Sequence, residues 1–193
     1  RARAIGLLGK RDDCDHGGTE GMGRESQELA AFIAGLQFEQ IPGEVITRLK
    51  FFILDMVGNA VRAHHDTQSG PIFRATADEL GLTGNEAGVF ATTHRYNRLG
   101  AAFLNAAFAH SLDFDDTHAR ASTHPGAPVI SAALATAQVS GASGKDLLTA
   151  IVAGYETHIR LSLGVVPSEH YAKGHALTST CGAFGASAAA TKI

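Results

Sequence analysis

Two polar clusters in this sequence carry residue types that can move protons. The first is Asp113, Asp115, Asp116, Thr117, His118, Arg120 and His124, within AAFAHSLDFDDTHARASTHP at 106–125. The second is His170, Lys173, His175, Thr178, Ser179 and Thr180, within SEHYAKGHALTSTCG. Histidine can take or give a proton near neutral pH. Arginine and lysine can meet carboxylates through charge-assisted hydrogen bonds. A proton beside a carboxylate is hard to remove, so an acidic substrate needs a base close by and donors for the charge that develops. The helix that starts near Thr180 adds free backbone N–H groups and a positive dipole end, a seat for a carboxylate. Apolar segments flank the first cluster, which predicts polar groups held at the rim of a core.

Other chemistries fit less well. His118 and His124 lack the i, i+4 helical spacing of a zinc protease, and no glutamate stands between close histidines as HExxH requires, so no metal site is expected. His16 and Cys14 are only two candidate ligands in a glycine-rich stretch. Cys181 is read as a small packed residue at a helix start rather than a nucleophile. A single histidine is more often structural than catalytic, and it is the clustering that sets His124 and His175 apart.

The elements that must position these loops read as helices. Residues 1–25 are rich in glycine (Gly6, Gly9, Gly17, Gly18, Gly21, Gly23) and are expected to form a flexible N-terminus. From Ser26, Leu29, Phe32, Ile33 and Leu36 mark one face of a helix. Pro42 opens a long amphipathic helix along Val45, Leu49, Phe52, Ile53, Met56, Val57 and Ala60. Asp55 beside that stripe is expected to be a capped or salt-bridged structural carboxylate, and His64 and His65 a solvent-facing pair. Residues 64–84 read as loop around a short helix, and 85–99 carry no assignment. An alanine-rich helix is expected over 101–110 and an apolar helix over 128–139. A capping box at Ser143 and Asp146 then starts a helix buried along Leu147, Leu148, Ile151, Val152, Tyr155 and Ile159. Glu156 and Arg160, at i, i+4, are expected to pair on the surface. After Pro167 and the second polar loop comes a last helix of Gly, Ala, Ser and Thr, which needs close neighbours. No period-2 strand series appears, so the predicted class is all-α: a helical domain over 26–193, running into its C-terminus without a cap and read as truncated there.

Composition narrows the function classes. A formal net charge of −3 gives no basic footprint for nucleic acid, and 45% hydrophobic with 18% charged residues is globular. Two cysteines far apart argue against a disulfide framework and for a reducing compartment. No apolar run reaches the roughly 18 residues of a membrane span. A cytoplasmic protein that binds no membrane is expected.

The segment FAHSLDFDDTH…HPGAPVISAALA, with LAAFIAGLQFEQIPGEVITRLKFFILDMVGNAV upstream and LLTAIVAGYETHIRL and GHALTSTCGAFGASAAA downstream, resembles the MmgE/PrpD family. That family includes 2-methylcitrate dehydratase, cis-aconitate decarboxylase and iminodisuccinate epimerase. The resemblance covers about 28–192. It implies a helical domain forming one wall of an active site, completed by a smaller α+β lid outside this chain, in a homodimer that needs no metal or organic cofactor. It also implies that Asp113, Thr117, His124 and His175 are catalytic, the histidines sharing acid–base work while Asp113 and Thr117 orient them and the substrate. His118, Arg120, Lys173 and Thr180 would bind a small carboxylic acid.

Two departures stand out. Thr117 to His124 is a residue longer than the decarboxylase pattern, and Ala176 replaces a proline. The family's active-site lysine and tyrosine would come from beyond Ile193, so the 193 residues alone are expected to be inactive. The leading expectation is a lyase of the 2-methylcitrate dehydratase type. Decarboxylation or epimerisation on the same scaffold is the second reading, and an inactive helical fragment the third.

Overall fold

A computed structural model describes residues 23–193. The glycine-rich stretch with Cys14 and His16 lies outside the described residues. Among those described, the order is α1 (Arg24–Gly35), a 3-10 turn (Phe38–Gln40), α2 (Gly43–Asp66), α3 (Ser69–Glu79), β1 (Thr83–Gly88), β2 (Arg95–Tyr96), α4 (Arg98–His110), α5 (Gly126–Ser140), α6 (Gly144–Gly164), α7 (Pro167–Ala172) and α8 (Leu177–Lys192). The all-α class holds. The first helix opens at Arg24, two residues before the expected start.

Helix α5 is the centre. Val129, Ile130, Ser131, Ala133, Ala135 and Ala137 are buried around its circumference, as in a helix enclosed on several sides. Helix α4 packs on one flank of α5, while α6 and α8 pack on another. Helix α2 lays a stripe of Leu49, Met56, Ala60 and Ala63 into the same core. Gly141, at φ +69°, ends α5 in the left-handed cap that glycine accepts without strain. The Ser143–Asp146 capping box then starts α6, as the sequence predicts.

The small-residue helix α8 finds its neighbours at a glycine crossing. A Cβ on Gly154 of α6 would stand 2.8 Å from the Gly185 carbonyl of α8 and 2.9 Å from Ala189 Cβ. A Cβ on Gly185 would stand 2.7 Å from His158 Cβ and 2.9 Å from the Gly154 carbonyl. Only glycine at both points lets the two backbones approach this closely.

Four expectations are corrected. Residues 83–96 hold a small antiparallel hairpin, with Gly88 opposite Arg95 and an irregular register between Thr83 and Ala87. Its sequence, TGNEAG, contains poor strand formers, so no period-2 signal exists; tertiary anchors hold it instead. Asn105 Nδ2 donates to the Gly88 carbonyl at 3.1 Å, its Oδ1 accepts from Phe90 N–H at 2.9 Å, and Gln138 Oε1 accepts from Gly88 N–H at 2.9 Å. Glu156 is not on the surface. It is buried beside Arg160 Nε at 2.7 Å, because α6 is covered on nearly every side, and burial pushes its carboxyl up. His64 is half-buried, edge-on to Phe108 with ring centroids 5.3 Å apart, rather than facing solvent. Asp55 is exposed and accepts from Asn59 Nδ2 at 3.1 Å, so its partner is an amide rather than a cation.

The crossing makes a contrast between glycines measurable. Gly58, within α2, has open space where a Cβ would go. Gly58→Ala should raise stability by up to about 1 kcal/mol through helix propensity. Gly154→Ala should lower it by about 1–3 kcal/mol or more through overpacking, despite the same propensity gain. Urea midpoints compare the two, and an unchanged or raised midpoint for Gly154→Ala would contradict the close approach.

Candidate active site

The first polar loop leaves α4 at His110 and enters α5 at Gly126. Asp113 sits at φ +50°, its N–H bonded to the His110 carbonyl at 3.1 Å, so the chain turns sharply off the helix end. Aspartate tolerates this left-handed conformation better than most side chains. The loop then makes a second tight turn. His118 N–H donates to the Thr123 carbonyl at 2.9 Å, Ala121 N–H donates to His118 Nδ1 at 3.1 Å, and Ser122 at φ +51° closes the turn.

This path gathers four acid–base groups. Ligand-type atoms of His110, Asp113, Asp115 and His124 all lie within 4.8 Å of one another. Asp115 is buried and both its oxygens accept from His110 Nδ1, at 3.0 and 3.1 Å. His124 Nδ1 lies 3.3 Å from Asp115 Oδ1 and 3.3 Å from Thr117 Oγ1, while its Nε2 lies 3.7 Å from Asp113 Oδ1. The His110 and His124 rings are 5.0 Å apart. The Asp115 hydrogen bond, the larger cause, and the Asp115 and Asp113 charges raise the His110 pKa against the opposing effect of burial. Two imidazoles and two carboxylates could also hold a divalent cation. Hydrogen bonding within the set already accounts for its closeness.

Beneath it runs a buried relay that joins the two polar loops. His124 N–H donates to Thr178 Oγ1 at 3.1 Å, and Thr178 Oγ1 lies 3.4 Å from Thr123 Oγ1. Thr123 Oγ1 meets His158 Nε2 at 2.6 Å. Burial lowers the His158 pKa to about 4, so the ring is neutral beside the Thr123 hydroxyl. Tyr171 O–H donates to the Ser122 carbonyl at 2.9 Å, a further tie between the loops. On the other side Asp116 accepts from Tyr155 O–H and from Gly126 N–H, each at 3.0 Å. Burial raises the Asp116 pKa to about 6 against the pull of those donors. A Cβ on Gly126 would overlap Asp116 Oδ1, so glycine is required where the loop enters α5.

The structure thus brings Asp113, Thr117 and His124 together. His175 is close in chain to Thr178, but its ring neighbour is His170, at 5.2 Å between centroids. Among the described residues no hydrogen bond, ion pair or ring contact joins His175 to His124. Thr180 Oγ1 donates to the Ala176 carbonyl at 3.2 Å and meets His170 Nε2 at 3.0 Å. Lys173 and Arg120 are exposed, and His118 uses Nδ1 to hold its own turn. Burial is the main cause of a lowered His118 pKa, and Arg120 adds to it. Cys181 is a buried free thiol, consistent with packing. An open cavity of about 480 Å³ is lined by Arg48, Phe51, Phe52, Leu54, Asp55, Phe114 and Asp116, and Asp116 is the one residue of the two polar clusters that lines it.

Sequence reasoning did not single out His110 or His158. His158 carried a usable signal, since it falls three residues after Tyr155 and seven after Ile151, on the buried stripe of α6. His110 closes an alanine-rich helix five residues before Asp115, a spacing with no helical meaning once Asp113 turns the chain.

The shifted pKa values of Asp116 and His158 act on stability in opposite senses. Asp116 is raised from 3.8 to about 6, so its contribution is full below 3.8 and lost as pH rises through 6. His158 is lowered from 6.5 to about 4, so its contribution is present above 6.5 and lost as pH falls through 4. Each shift corresponds to something on the order of 3 kcal/mol. Wild-type stability minus that of Asp116→Asn should therefore fall between pH 4 and 6. Wild-type minus His158→Gln should rise between pH 4 and 6.5, other groups cancelling in each difference. Chemical denaturation at stepped pH reads both, and flat differences would remove the assigned burial effects.

Comparison with known proteins agrees with this architecture. The family model of the MmgE/PrpD N-terminal domain matches residues 27–193. A cis-aconitate decarboxylase-like protein oryM of Aspergillus oryzae is 28% identical over 178 residues, 89% of this chain and 36% of the relative. Cis-aconitate decarboxylase of Mus musculus is 31% identical over 87% of this chain and 35% of its own length. The Homo sapiens enzyme of that name is 30% identical over the same shares. The chain therefore spans about a third of the length of these relatives. No described helix is long and apolar enough to cross a membrane. With the family model covering the helical domain and both polar loops, the chain belongs to the MmgE/PrpD family.

Proposed function

We propose that this chain supplies the acid–base wall of a lyase acting on a small di- or tricarboxylic acid. The observation that carries the reading is His124, half-buried, with Nδ1 against Thr117 and Asp115 and Nε2 turned toward Asp113. An imidazole held on one nitrogen can work at the other, neutral as a base or protonated as an acid. In a dehydration it takes the proton from carbon beside a carboxylate, the C=C bond forms, and the hydroxyl, protonated by the second acid–base group, leaves as water. In a decarboxylation the C–C bond to the departing CO2 breaks, and the electron pair left on carbon is quenched by a proton.

Decarboxylation of cis-aconitate is the favoured reaction, because relatives bearing that name match 87–89% of this chain. Dehydration of 2-methylcitrate, the leading expectation from sequence, is the second reading; it is favoured by the extra residue between Thr117 and His124. Iminodisuccinate-type epimerisation is a variant of the same proton transfer. Arg120, Lys173 and Thr180, with His118, are assigned to the substrate carboxylates. Asp113 orients His124 and the substrate, and His175 is the second acid–base group, brought to bear across the joined loops. The same reading includes a homodimer, a cytoplasmic location and catalysis without metal or organic cofactor. Activity is assigned to the whole protein that carries this domain.

In that protein, cis-aconitate, 2-methylcitrate and iminodisuccinate should be supplied in turn and products followed by proton NMR. Cis-aconitate should be consumed with release of CO2, in the presence of chelator as well as without. His124→Ala and His175→Ala should each lower kcat by roughly 10²–10⁴-fold. Undiminished turnover in His124→Ala would end this proposal.

A further inference from the structure

We infer that Asp115 is a positioning residue that locks His124 in the Nδ1–H tautomer, leaving Nε2 as its reactive nitrogen, with His110 as the second donor on the same carboxylate. The inference rests on the proposed function only in calling His124 reactive; the tautomer is a property of the chain itself.

Asp115 acts through both its side chain and its backbone. The carboxylate is buried, its side chain 1% exposed, and an ionised carboxylate can only accept. Its closest neighbours are the Nδ1 atoms of His110, at 3.0 Å, and of His124, at 3.3 Å. A bare ring-nitrogen lone pair this close to a buried carboxylate would be repelled by it, so the proton-bearing form is favoured at both facing nitrogens. The Asp115 carbonyl accepts the Thr117 hydroxyl at 3.2 Å. With its only proton used there, Thr117 Oγ1 offers His124 a lone pair. His124 Nδ1 therefore meets two acceptors, one fixed by the Asp115 carbonyl and one belonging to its carboxylate. A neutral imidazole protonated at Nδ1 has a bare Nε2. That nitrogen faces Asp113 Oδ1 at 3.7 Å, too far for a hydrogen bond, so its lone pair is uncommitted.

His110 makes the arrangement stable. It sits in the last turn of α4, 41% exposed, and donates to both oxygens of Asp115. The Asp115 hydrogen bond, the largest cause, raises the His110 pKa and so favours the charged form of this outer ring. The groups facing the set are His110 from α4, Asp113 and Asp115 from the loop, and His124 at the entry to α5; Thr117 is the non-titrating member.

The test is the ring-nitrogen spectrum of the chain labelled with ¹⁵N-histidine, read by two-bond proton–nitrogen correlation on the neutral form of each ring. Wild-type His124 should show a protonated Nδ1 and a pyridine-like Nε2. Asp115→Asn should shift it toward a mixture and lower the His110 titration midpoint, while His110→Gln should leave the His124 tautomer in place. In the whole protein, Asp115→Asn should reduce kcat roughly 10- to 100-fold with KM little changed. An Nε2–H tautomer in the wild-type chain overturns the inference without any variant being needed. So does a folded Asp115→Asn chain with an unaltered His124 spectrum. Loss of the tautomer lock would leave the acid–base proposal standing, whereas full turnover in His124→Ala would sink that proposal and leave the lock intact.

Discussion

The tie between the two polar loops depends on how closely α6 and α8 can approach. Gly154 and Gly185 face one another across the crossing, and each stands where the other's side chain would have to go. The backbone contact sets the height of α8 against α6. It thereby sets where Thr178, at the start of α8, meets the His158–Thr123 pair. A methyl group at either glycine would push α8 outward and open the Thr178 bond to the His124 backbone. The position of the second polar loop thus follows from packing several turns away.

The central helix α5 contributes differently. Its first residue, Gly126, admits Asp116 and Tyr155 against the helix start, and its buried Val129 fills the space beside the α6–α8 crossing. The loop before it is therefore tied at both ends: by His110 at the end of α4 and by Gly126 at the head of α5. Between those ties the alternation of side chains separates two environments. Asp113 and Asp115 face the histidines, while Phe114 and Asp116 line the cavity beside α2. Four neighbouring residues thus serve two surfaces.

Burial decides the character of the remaining polar groups. His158 and Glu156 lie two residues apart on α6, and both are enclosed. One is kept neutral and hydrogen-bonded to a threonine; the other stays beside an arginine. Each has one close polar partner, which lowers the cost of burying them on a helix covered on nearly every side. The hairpin at 83–96 is the opposite case, since its backbone partners come from Asn105 and Gln138 on neighbouring helices rather than from strand propensity.

The sequence by itself determined the helical class, the amphipathic stripes of α2 and α6, the Ser143 capping box and the grouping of polar residues in two loops. These are local properties, legible because periodicity and caps depend on residues within one or two turns. The tertiary structure alone decided which polar residues meet. Asp113, Thr117 and His124 converge because Asp113 reverses the chain after α4, whereas His175 lies against His170 despite its match to the family pattern. It also decided that Glu156 is buried, that TGNEAG forms a strand and that His110 and Asp115 stand behind His124. Those outcomes depend on where α8, Asn105 and the loop ends lie in space, and no spacing along the chain encodes such distances.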